Sequence, residues 1–379
     1  MMALQPGRPV RRTIVQPLTP DGSPVVLYER WSSTLAWRIL RRFADDASAV
    51  AERVAGNARE ARLVHRELRA FVHQAERYYE VGERTGGAPS ALPFYYAILN
   101  LAKAELLIAH GQALLERRLH HGLSVPSPKG LRTDRLGLRD GVFRLLYTKR
   151  IGRDLQQRNV PVGRVIGNVP SIRNEVSSTS FVKANAHGGW NCVARNDRRL
   201  WSLLAFESDE WLAGRTPTSR LFFRHFRRIE TPREWRRVFG ISTRFSTPSL
   251  HVFESKTEQE LPEQATLRPF MDQMAAPWTM LHPTVGFSNN PGYDLFIYPH
   301  LYRSKPFPMT GSLAAYAALF YVSSLVRYAP SMVDARSHPE QAWLLGSIPT
   351  EVAPLLLHAA INEMLGTYFF FGSPESMRA

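Results

Sequence analysis

Hydrophobic residues recur at helical spacing in the first part of the chain. Between residues 64 and 79 they occupy positions i, i+4, i+7, i+8, i+11 and i+15, which form one face of an α-helix. The set comprises Val64, Leu68, Phe71, Val72, Ala75 and Tyr79. A Gly-Gly pair at 86–87 and Pro89 interrupt this pattern, and Ser90 is placed to cap a second helix with Pro93 in its first turn.

The second helix runs through PFYYAILNLAKAELLIAHGQALLERRLHHGLS, residues 93–124, and is mostly apolar. Tyr96, Asn100 and Lys103 follow i, i+4, i+7 spacing and therefore share one side of it. They are explained equally as core side chains with satisfied polar groups or as part of a binding pocket. The closing residues 120–122, His-His-Gly, also fit a helix C-terminus with a left-handed glycine cap.

The middle of the chain has a different pattern. Residues 130–305 contain many prolines and glycines between short runs such as RLWSLLAF and YDLFIYPHL, which are typical of strands joined by turns. Within this region SRLFFRHFRRI has a helical pattern. Long apolar helical patterns return after residue 312. One of them, LAAYAALFYVSSLV at 313–326, is too short to span a bilayer and predicts a buried helix.

These patterns predict a soluble, mainly α protein with α+β character. Neither helical block is large enough to bury its apolar faces alone, so we expect the two to pack into one bundle around a strand-containing insertion. The predicted parts are an N-terminal arm at 1–30, a helical block at 31–129, an insertion with a basic helix at 130–305 and a C-terminal helical block at 306–379.

Charge adds a candidate partner to this picture. The 379 residues include 48 basic and 33 acidic side chains, a net charge of +15, which favours a phosphate-rich partner such as nucleic acid. Only six of the basic residues are lysines, however, and an arginine excess also arises from a GC-rich genome. The charge alone leaves both explanations open.

Composition and motifs exclude several classes of protein. The single cysteine, Cys192, rules out an internal disulfide framework and a cysteine-cluster zinc site. The first residues lack the apolar core of a signal peptide, so a cytoplasmic location is expected, without a membrane partner. The sequence contains no Walker loop, no GxSxG and no HExxH, and we predict no cofactor and no metal.

Three stretches resemble a known bacterial family. The segments PFYYAILNLAKAELLIAHG…HHGL, LAAYAALFYVSSLVRYAP and RWSSTLAWRILRRF are similar to the YaaC-like family. The Tyr-Tyr-Ala helix followed by a His-Gly-Leu-like segment also resembles the HEPN superfamily of helical domains. This second resemblance implies an HEPN-like helical bundle and a homodimer. It also implies a role in bacterial antiphage defence or stress, with metal-independent ribonuclease activity.

HEPN ribonucleases carry an arginine and then a histidine, with four to six residues between them. Histidine titrates near neutrality and serves as acid or base, while arginine stays charged and stabilises the phosphate. Two pairs in this sequence fit: Arg220 with His225, and Arg66 with His73. The first pair lies in the insertion, and the second lies on a helix face opposite the apolar stripe, where a solvated surface is the alternative.

A basic segment at 215–237 is the candidate for nucleic-acid binding, with RNA favoured. Its arginines recur at helical spacing without interleaved acids, a pattern that a solvated helix also explains. They are Arg220, Arg224, Arg227, Arg228, Arg233, Arg236 and Arg237. A polar pocket between the helical blocks is a further candidate, formed by Tyr95, Tyr96, Asn100, Lys103, His121, Arg327 and Tyr328.

The sequence therefore leaves three functions open, and whether the protein is an enzyme is undecided. The first is a nucleic-acid-binding effector or subunit of a defence or stress system, acting as an endoribonuclease if it is an enzyme. The second is a non-enzymatic scaffold that docks onto a protein partner. The third is a sensor of a small ligand, such as a nucleotide, at the polar pocket.

Overall fold

The structure is a computed structural model that describes residues 12–14, 25–27, 31–54, 58–116, 119–156, 158–184, 187–196, 199–206, 217–231, 251–256, 258–260, 281–284, 294–297, 307–366 and 369–371. The chain forms two compact units. The helical unit comprises residues 31–185 and 309–369, and the sheet unit comprises 1–30, 186–308 and 370–379. The N-terminal and C-terminal helical blocks thus belong to one unit, which confirms that they pack together as predicted.

Helices make up most of the described residues, which confirms the mainly α prediction. They are α1 Ser33–Asp45, α2 Ala47–Arg53, α3 Ala58–Thr85, α4 Ala91–His110, α5 Val142–Ile151, α6 Val162–Gly167, α7 Arg173–Ser177, α8 Pro217–His225, α9 Gly311–Tyr328 and α10 Pro339–Leu365. The strands are β1 Arg12–Ile14, β2 Val25–Leu27, β3 Leu123–Ser124, β4 Arg135–Leu138, β5 Asn159–Pro161, β6 His187–Arg195, β7 Arg199–Phe206, β8 Phe226–Ile229, β9 His251–Ser255, β10 Gln259–Glu260, β11 Leu281–Thr284, β12 Asp294–Ile297 and β13 Phe369–Phe371.

The apolar stripe of α3 packs along α4, and α9 and α10 pack against α4 from other sides. Within the predicted stripe, Val64, Leu68, Val72, Ala75 and Tyr79 are buried. Every residue of α9 from Leu313 to Leu325 is buried as well, which confirms the predicted buried helix. The core therefore lies where these four helices meet.

Two segments have the length and apolar composition of a membrane span: Ala88–Leu114, which contains α4, and α10. Inside the protein, however, 72% of the first apolar window and 67% of the second are buried. Packing within the helical unit accounts for their apolar composition, as it does in the core helices of soluble proteins.

The His-His-Gly segment at 120–122 lies beyond the end of α4, which corrects the predicted capping role. The helix ends at His110, because Gly111 takes a positive φ of 57° and its N–H closes the last turn on the Leu107 carbonyl. The glycine at 122 also has a positive φ, 80°, but it stands just before β3.

The carbonyls of this segment instead bind the start of α5. The Val142 N–H donates to the His120 carbonyl at 2.8 Å, and the Phe143 N–H donates to the His121 carbonyl at 3.2 Å. A side chain at Gly141 would clash with the His120 carbonyl, so glycine is required there. The two histidines are therefore positioned by their backbone, which satisfies orphan amides of α5.

A buried ion-pair network joins four helices of the helical unit. The carboxylate of Glu105 in α4 is 1% exposed and accepts hydrogen bonds from Lys149 Nζ at 3.0 Å and Arg150 Nη2 at 2.5 Å, both in α5. Arg150 also donates to the Ser312 hydroxyl of α9 at 2.9 Å, and Lys149 pairs with Glu363 of α10 at 2.6 Å. We name these five residues the Glu105 network.

The sheet unit is built on an antiparallel sheet. Its strand order is β11-β12-β6-β7-β9-β8, with β1 paired to β6 and β10 paired to β7. The long hairpin of β6 and β7 forms its centre, with Cys192 opposite Leu203. A separate three-stranded sheet, β3-β4-β5, lies in the helical unit and is also antiparallel. These sheets confirm the α+β character.

The Glu105 network predicts a large effect of one substitution. Glu105→Gln leaves Lys149 and Arg150 without their shared counter-charge in a buried place, so it should lower the free energy of unfolding by about 3–5 kcal/mol. Urea denaturation followed by circular dichroism measures this change. Glu80→Gln, which breaks an exposed pair with Arg84, is the matched control and should cost under about 1 kcal/mol. Equal costs for both variants would contradict the structural role.

A pH-dependent loss of stability follows from His358 in α10. Its Nε2–H donates to the Phe369 carbonyl at 2.8 Å, and burial lowers the pKa of His358 from 6.5 to about 4. The unfolded chain therefore takes up a proton between these values while the folded protein does not, so stability is full above pH 6.5 and falls as the pH drops towards 4. Unfolding free energies at pH 7, 5.5 and 4.5 should fall less steeply in His358→Gln. Equal slopes in both proteins would rule His358 out as the cause.

Candidate functional site

The polar row on α4 packs against α3. The two helices run antiparallel. As the row advances by one turn along α4, its contact on α3 moves one turn towards the start of α3. The pairs are Tyr96 stacked on Tyr78 with centroids 5.4 Å apart, Asn100 Nδ2 donating to Gln74 Oε1 at 3.1 Å, and Lys103 Nζ lying 5.5 Å from the Phe71 ring. Burial lowers the pKa of Lys103. We name these three pairs the α3–α4 row.

Tyr95 lies on another side of α4 from its neighbour in sequence. Its ring makes an edge contact with Phe320 of α9 at 5.3 Å, and the ring of His121 packs on the same Phe320 at 5.2 Å. Phe320 and Arg327 are seven residues apart on α9 and share a face of that helix, and the charge of Arg327 acts on both Tyr95 and His121. The structure thus brings three predicted pocket residues together and places Tyr96, Asn100 and Lys103 elsewhere.

Arg327 and Tyr328 end α9 at the surface. The Arg327 guanidinium lies 5.0 Å from the centroid of the Tyr328 ring, and its Nε–H donates to the Ser323 carbonyl at 3.3 Å. The Tyr328 side chain is 73% exposed. We name Tyr95, His121 and Arg327 the α9-end cluster.

His73 is held by a carboxylate that the sequence did not single out. Its Nε2–H donates to Asp45 Oδ1 at 3.1 Å, and Arg69 Nε donates to the same oxygen at 2.7 Å. These bonds, with His73 the largest contributor, lower the pKa of Asp45. Arg66 lies two turns before His73 on α3, with a side chain that is 73% exposed and an ion pair to Glu67 at 3.2 Å. We name Asp45, Arg66, Arg69 and His73 the α3 surface cluster.

Only part of this cluster carried a sequence signal. Arg69 lies between Arg66 and His73 at helical spacing, so the one-face arrangement of the three was readable. Asp45 is the last residue of α1 and is 28 positions away from His73. Its contribution depends on the packing of α1 against α3, which no local pattern reports.

The Arg220 and His225 pair lies on α8 in the sheet unit. Five residues along a helix turn the second side chain by about 140° from the first, so the two do not share a face. Burial is the main cause of a lowered pKa of His225, and the charges of Arg224 and Lys256 lower it further.

The predicted basic helix ends at His225, so its arginines do not form one helical stripe. Residues 226–229 are strand β8, which pairs with β9 and places Arg227 opposite Glu254. Arg227 Nε donates to the buried Glu254 carboxylate at 2.7 Å, and Arg228 lies 2.5 Å from His251 Nδ1. Ladder pairing with β9 thus overrides the helical spacing of the sequence.

Two arginines of the basic segment, Arg220 and Arg224, are exposed on α8. Arg227 is neutralised by its cross-strand partner Glu254, and Arg228 contacts His251, as described above. The remaining three predicted contacts, Arg233, Arg236 and Arg237, lie outside the described residues. The segment therefore offers less unpaired charge than its sequence indicated.

A comparison with protein families decides the kinship. The model of the family described as YaaC-like Protein matches residues 46–348. The chain belongs to the YaaC-like family. The match runs from α2 into α10 and includes α3, α4 and α9, so the α9-end cluster and most of the α3 surface cluster lie within the region that defines YaaC-like proteins. No curated protein and no solved structure matches the chain.

The α3–α4 row gives a test of whether Asn100 serves packing. Gln74→Ala removes the partner of a buried amide and should lower the free energy of unfolding by about 1–3 kcal/mol. Adding Asn100→Leu to that variant removes the unpaired group, so the double variant should recover most of the loss. Thermal and urea unfolding of the three proteins measure it. A double variant that is as unstable as Gln74→Ala alone would contradict a packing role.

Proposed function

We propose that this protein binds RNA at the exposed face of α1 and α3 and cleaves it without a metal ion. The observation that carries the proposal is the hydrogen bond that His73 donates to Asp45, beside two surface arginines on the same helix face. An HEPN-like fold for the helical unit belongs to the same proposal and rests on the resemblance of its Tyr-Tyr-Ala helix to that superfamily.

The geometry suits His73 as the proton-transfer group. Because its Nε2–H is engaged by the carboxylate, the neutral ring carries its lone pair on Nδ1, which is the atom that accepts a proton. A carboxylate that fixes one ring nitrogen also fixes the ring's orientation, as in hydrolase triads. Asp45 is thus a positioning residue, and His73 is the proposed catalytic residue.

The reaction is an attack of a ribose 2′-oxygen on the adjacent phosphorus. His73 Nδ1 takes the 2′-hydroxyl proton while the bond from phosphorus to O2′ forms. The bond from phosphorus to O5′ then breaks, the leaving oxygen takes up a proton from solvent water, and the products are a 2′,3′-cyclic phosphate and a 5′-hydroxyl. Arg66 and Arg69 lie on the same face and stabilise the negative charge that builds on the phosphate oxygens.

The α8 region has a secondary place in this proposal. Arg220 and Arg224 are exposed there and suit sequence-independent phosphate contacts, which position RNA without specifying its bases. His225 does not share a face with Arg220, so we assign no chemistry to that pair. The proposed role is cytoplasmic, in a bacterial defence or stress system, and includes the homodimer common among HEPN domains.

The decisive experiment is cleavage of end-labelled single-stranded RNA and bulk tRNA in EDTA, resolved on a denaturing gel. His73→Ala should reduce the cleavage rate by about 100-fold or more, because it removes the proton-transfer group. Arg66→Ala should also reduce it. The double variant Arg220→Ala/His225→Ala is the matched control and should keep the chemical rate, although it binds RNA more weakly.

Asp45→Asn separates positioning from folding. It should lower kcat about tenfold or more with KM unchanged, since the ring is misoriented while RNA still binds. Circular dichroism and urea denaturation establish that each variant is folded. Intact RNA in every lane, or equal cleavage by wild type and His73→Ala, would refute the proposed activity.

A further inference from the structure

The end of α9 gathers hydrogen-bond donors without an acid to balance them. Arg327 is half-buried, and in the described part of the chain no carboxylate pairs with its guanidinium. The ring of His121 packs on Phe320, which lies seven residues before Arg327 and shares its helix face. The charges of Arg327 and His120 both act on His121. A cationic group that has neither water on all sides nor a counter-ion is costly, and a bound anion relieves that cost.

His121 is oriented as a donor. The Leu123 N–H donates to His121 Nδ1 at 3.2 Å, so in the neutral ring the proton is on Nε2. Burial, and then the positive charges of Arg327 and His120, lower the pKa of His121. The backbone bonds of residues 120 and 121 to the start of α5 fix where this ring lies.

A buried hydroxyl stands on the inner side of the cluster. The Tyr95 side chain is 2% exposed, and its hydroxyl lies beside that of Tyr316, which acts on it as a hydrogen-bonding neighbour. Neither hydroxyl meets another partner within the described residues. Burial raises the pKa of Tyr95, while the Tyr316 hydroxyl and then the Arg327 charge act in the opposite direction. The hydroxyl therefore stays protonated at neutral pH.

We propose that the α9-end cluster is a binding site for the phosphate group of a small molecule. Arg327 supplies paired N–H donors whose fork matches two phosphate oxygens, and His121 Nε2–H supplies a third donor. Donors without acceptors favour an oxyanion over a neutral or cationic ligand. The exposed Tyr328 ring next to Arg327 gives an organic group attached to the phosphate a surface to pack on.

This site is independent of the proposed ribonuclease activity, because it shares no residue with the α3 surface cluster. Its occupant is free phosphate or a phosphomonoester, and the two are distinguished by affinity. Isothermal titration calorimetry on the full chain at constant ionic strength compares inorganic phosphate, AMP and adenosine. Phosphate and AMP should bind, with AMP tighter if the organic group contacts Tyr328, and adenosine should not.

Variants locate the site. Arg327→Gln should weaken binding of phosphate and AMP by about tenfold or more, and Arg327→Lys should weaken it less, since the charge remains and the fork is lost. Lys103→Gln is the matched control, because it removes a half-buried cation of the same unit that faces α3. His73→Ala should bind as wild type does, so failure of this proposal and failure of the ribonuclease proposal are separate results.

A second readout reports on His121 itself. Phosphate should raise the pKa of His121 in an NMR titration, because a bound anion offsets the neighbouring positive charges that lower it. Unchanged affinity in a folded Arg327→Gln variant would overturn the proposal. Equal weakening by Lys103→Gln would overturn it too, since binding would then follow net charge rather than this site.

Discussion

The helical unit depends on the burial of one carboxylate. Glu105 is withdrawn from water in α4, which costs several kcal/mol unless its partners are all in place. Those partners come from α5, while Ser312 and Glu363 extend the network to α9 and α10. Lys149 and Glu363 are 214 positions apart in sequence, and residues 186–308 of the sheet unit lie between them in the chain. Residues 31–185 and 309–369 thus share one buried network, and the strands between them in sequence behave as an insertion.

Helices α3, α9 and α10 pack on different parts of the surface of α4. Their packing determines which polar residues of α4 contact which neighbour. Tyr95 and Tyr96 are adjacent in sequence, yet the first contacts Phe320 of α9 and the second stacks on Tyr78 of α3. Asn100 and Lys103 continue the second direction and contact Gln74 and Phe71 of α3. Contacts with α3 therefore account for the position of this polar row on an otherwise apolar helix.

Periodicity predicted what depends on local spacing and burial. It identified the stripe of α3 and the buried helix at 313–326, because an apolar face has the same period wherever the helix packs. It failed where the conformation or contacts of a residue depend on a segment that is distant in sequence. Arg227 and Arg228 have helical spacing but lie in β8, since β9 supplies the ladder, and the glycine at 122 serves the approach of Gly141 rather than the end of α4. Asp45 was missed for the same reason, as its link to His73 exists only after α1 meets α3.

Net charge is a poor guide to function here, because some cations are paired with buried carboxylates inside the fold and others are not. The basic residues outnumber the acidic ones in both units, as a general arginine bias would also produce. The cations fall into two groups, according to whether the carboxylate that pairs with each is buried. Lys149 and Arg227 are bound to carboxylates that are almost fully withdrawn from water, and these pairs hold elements together. Arg66 has only an exposed partner, and Arg327 has none in the described chain, so their charge is available to an incoming anion. That difference in pairing carries more weight than the count of arginines.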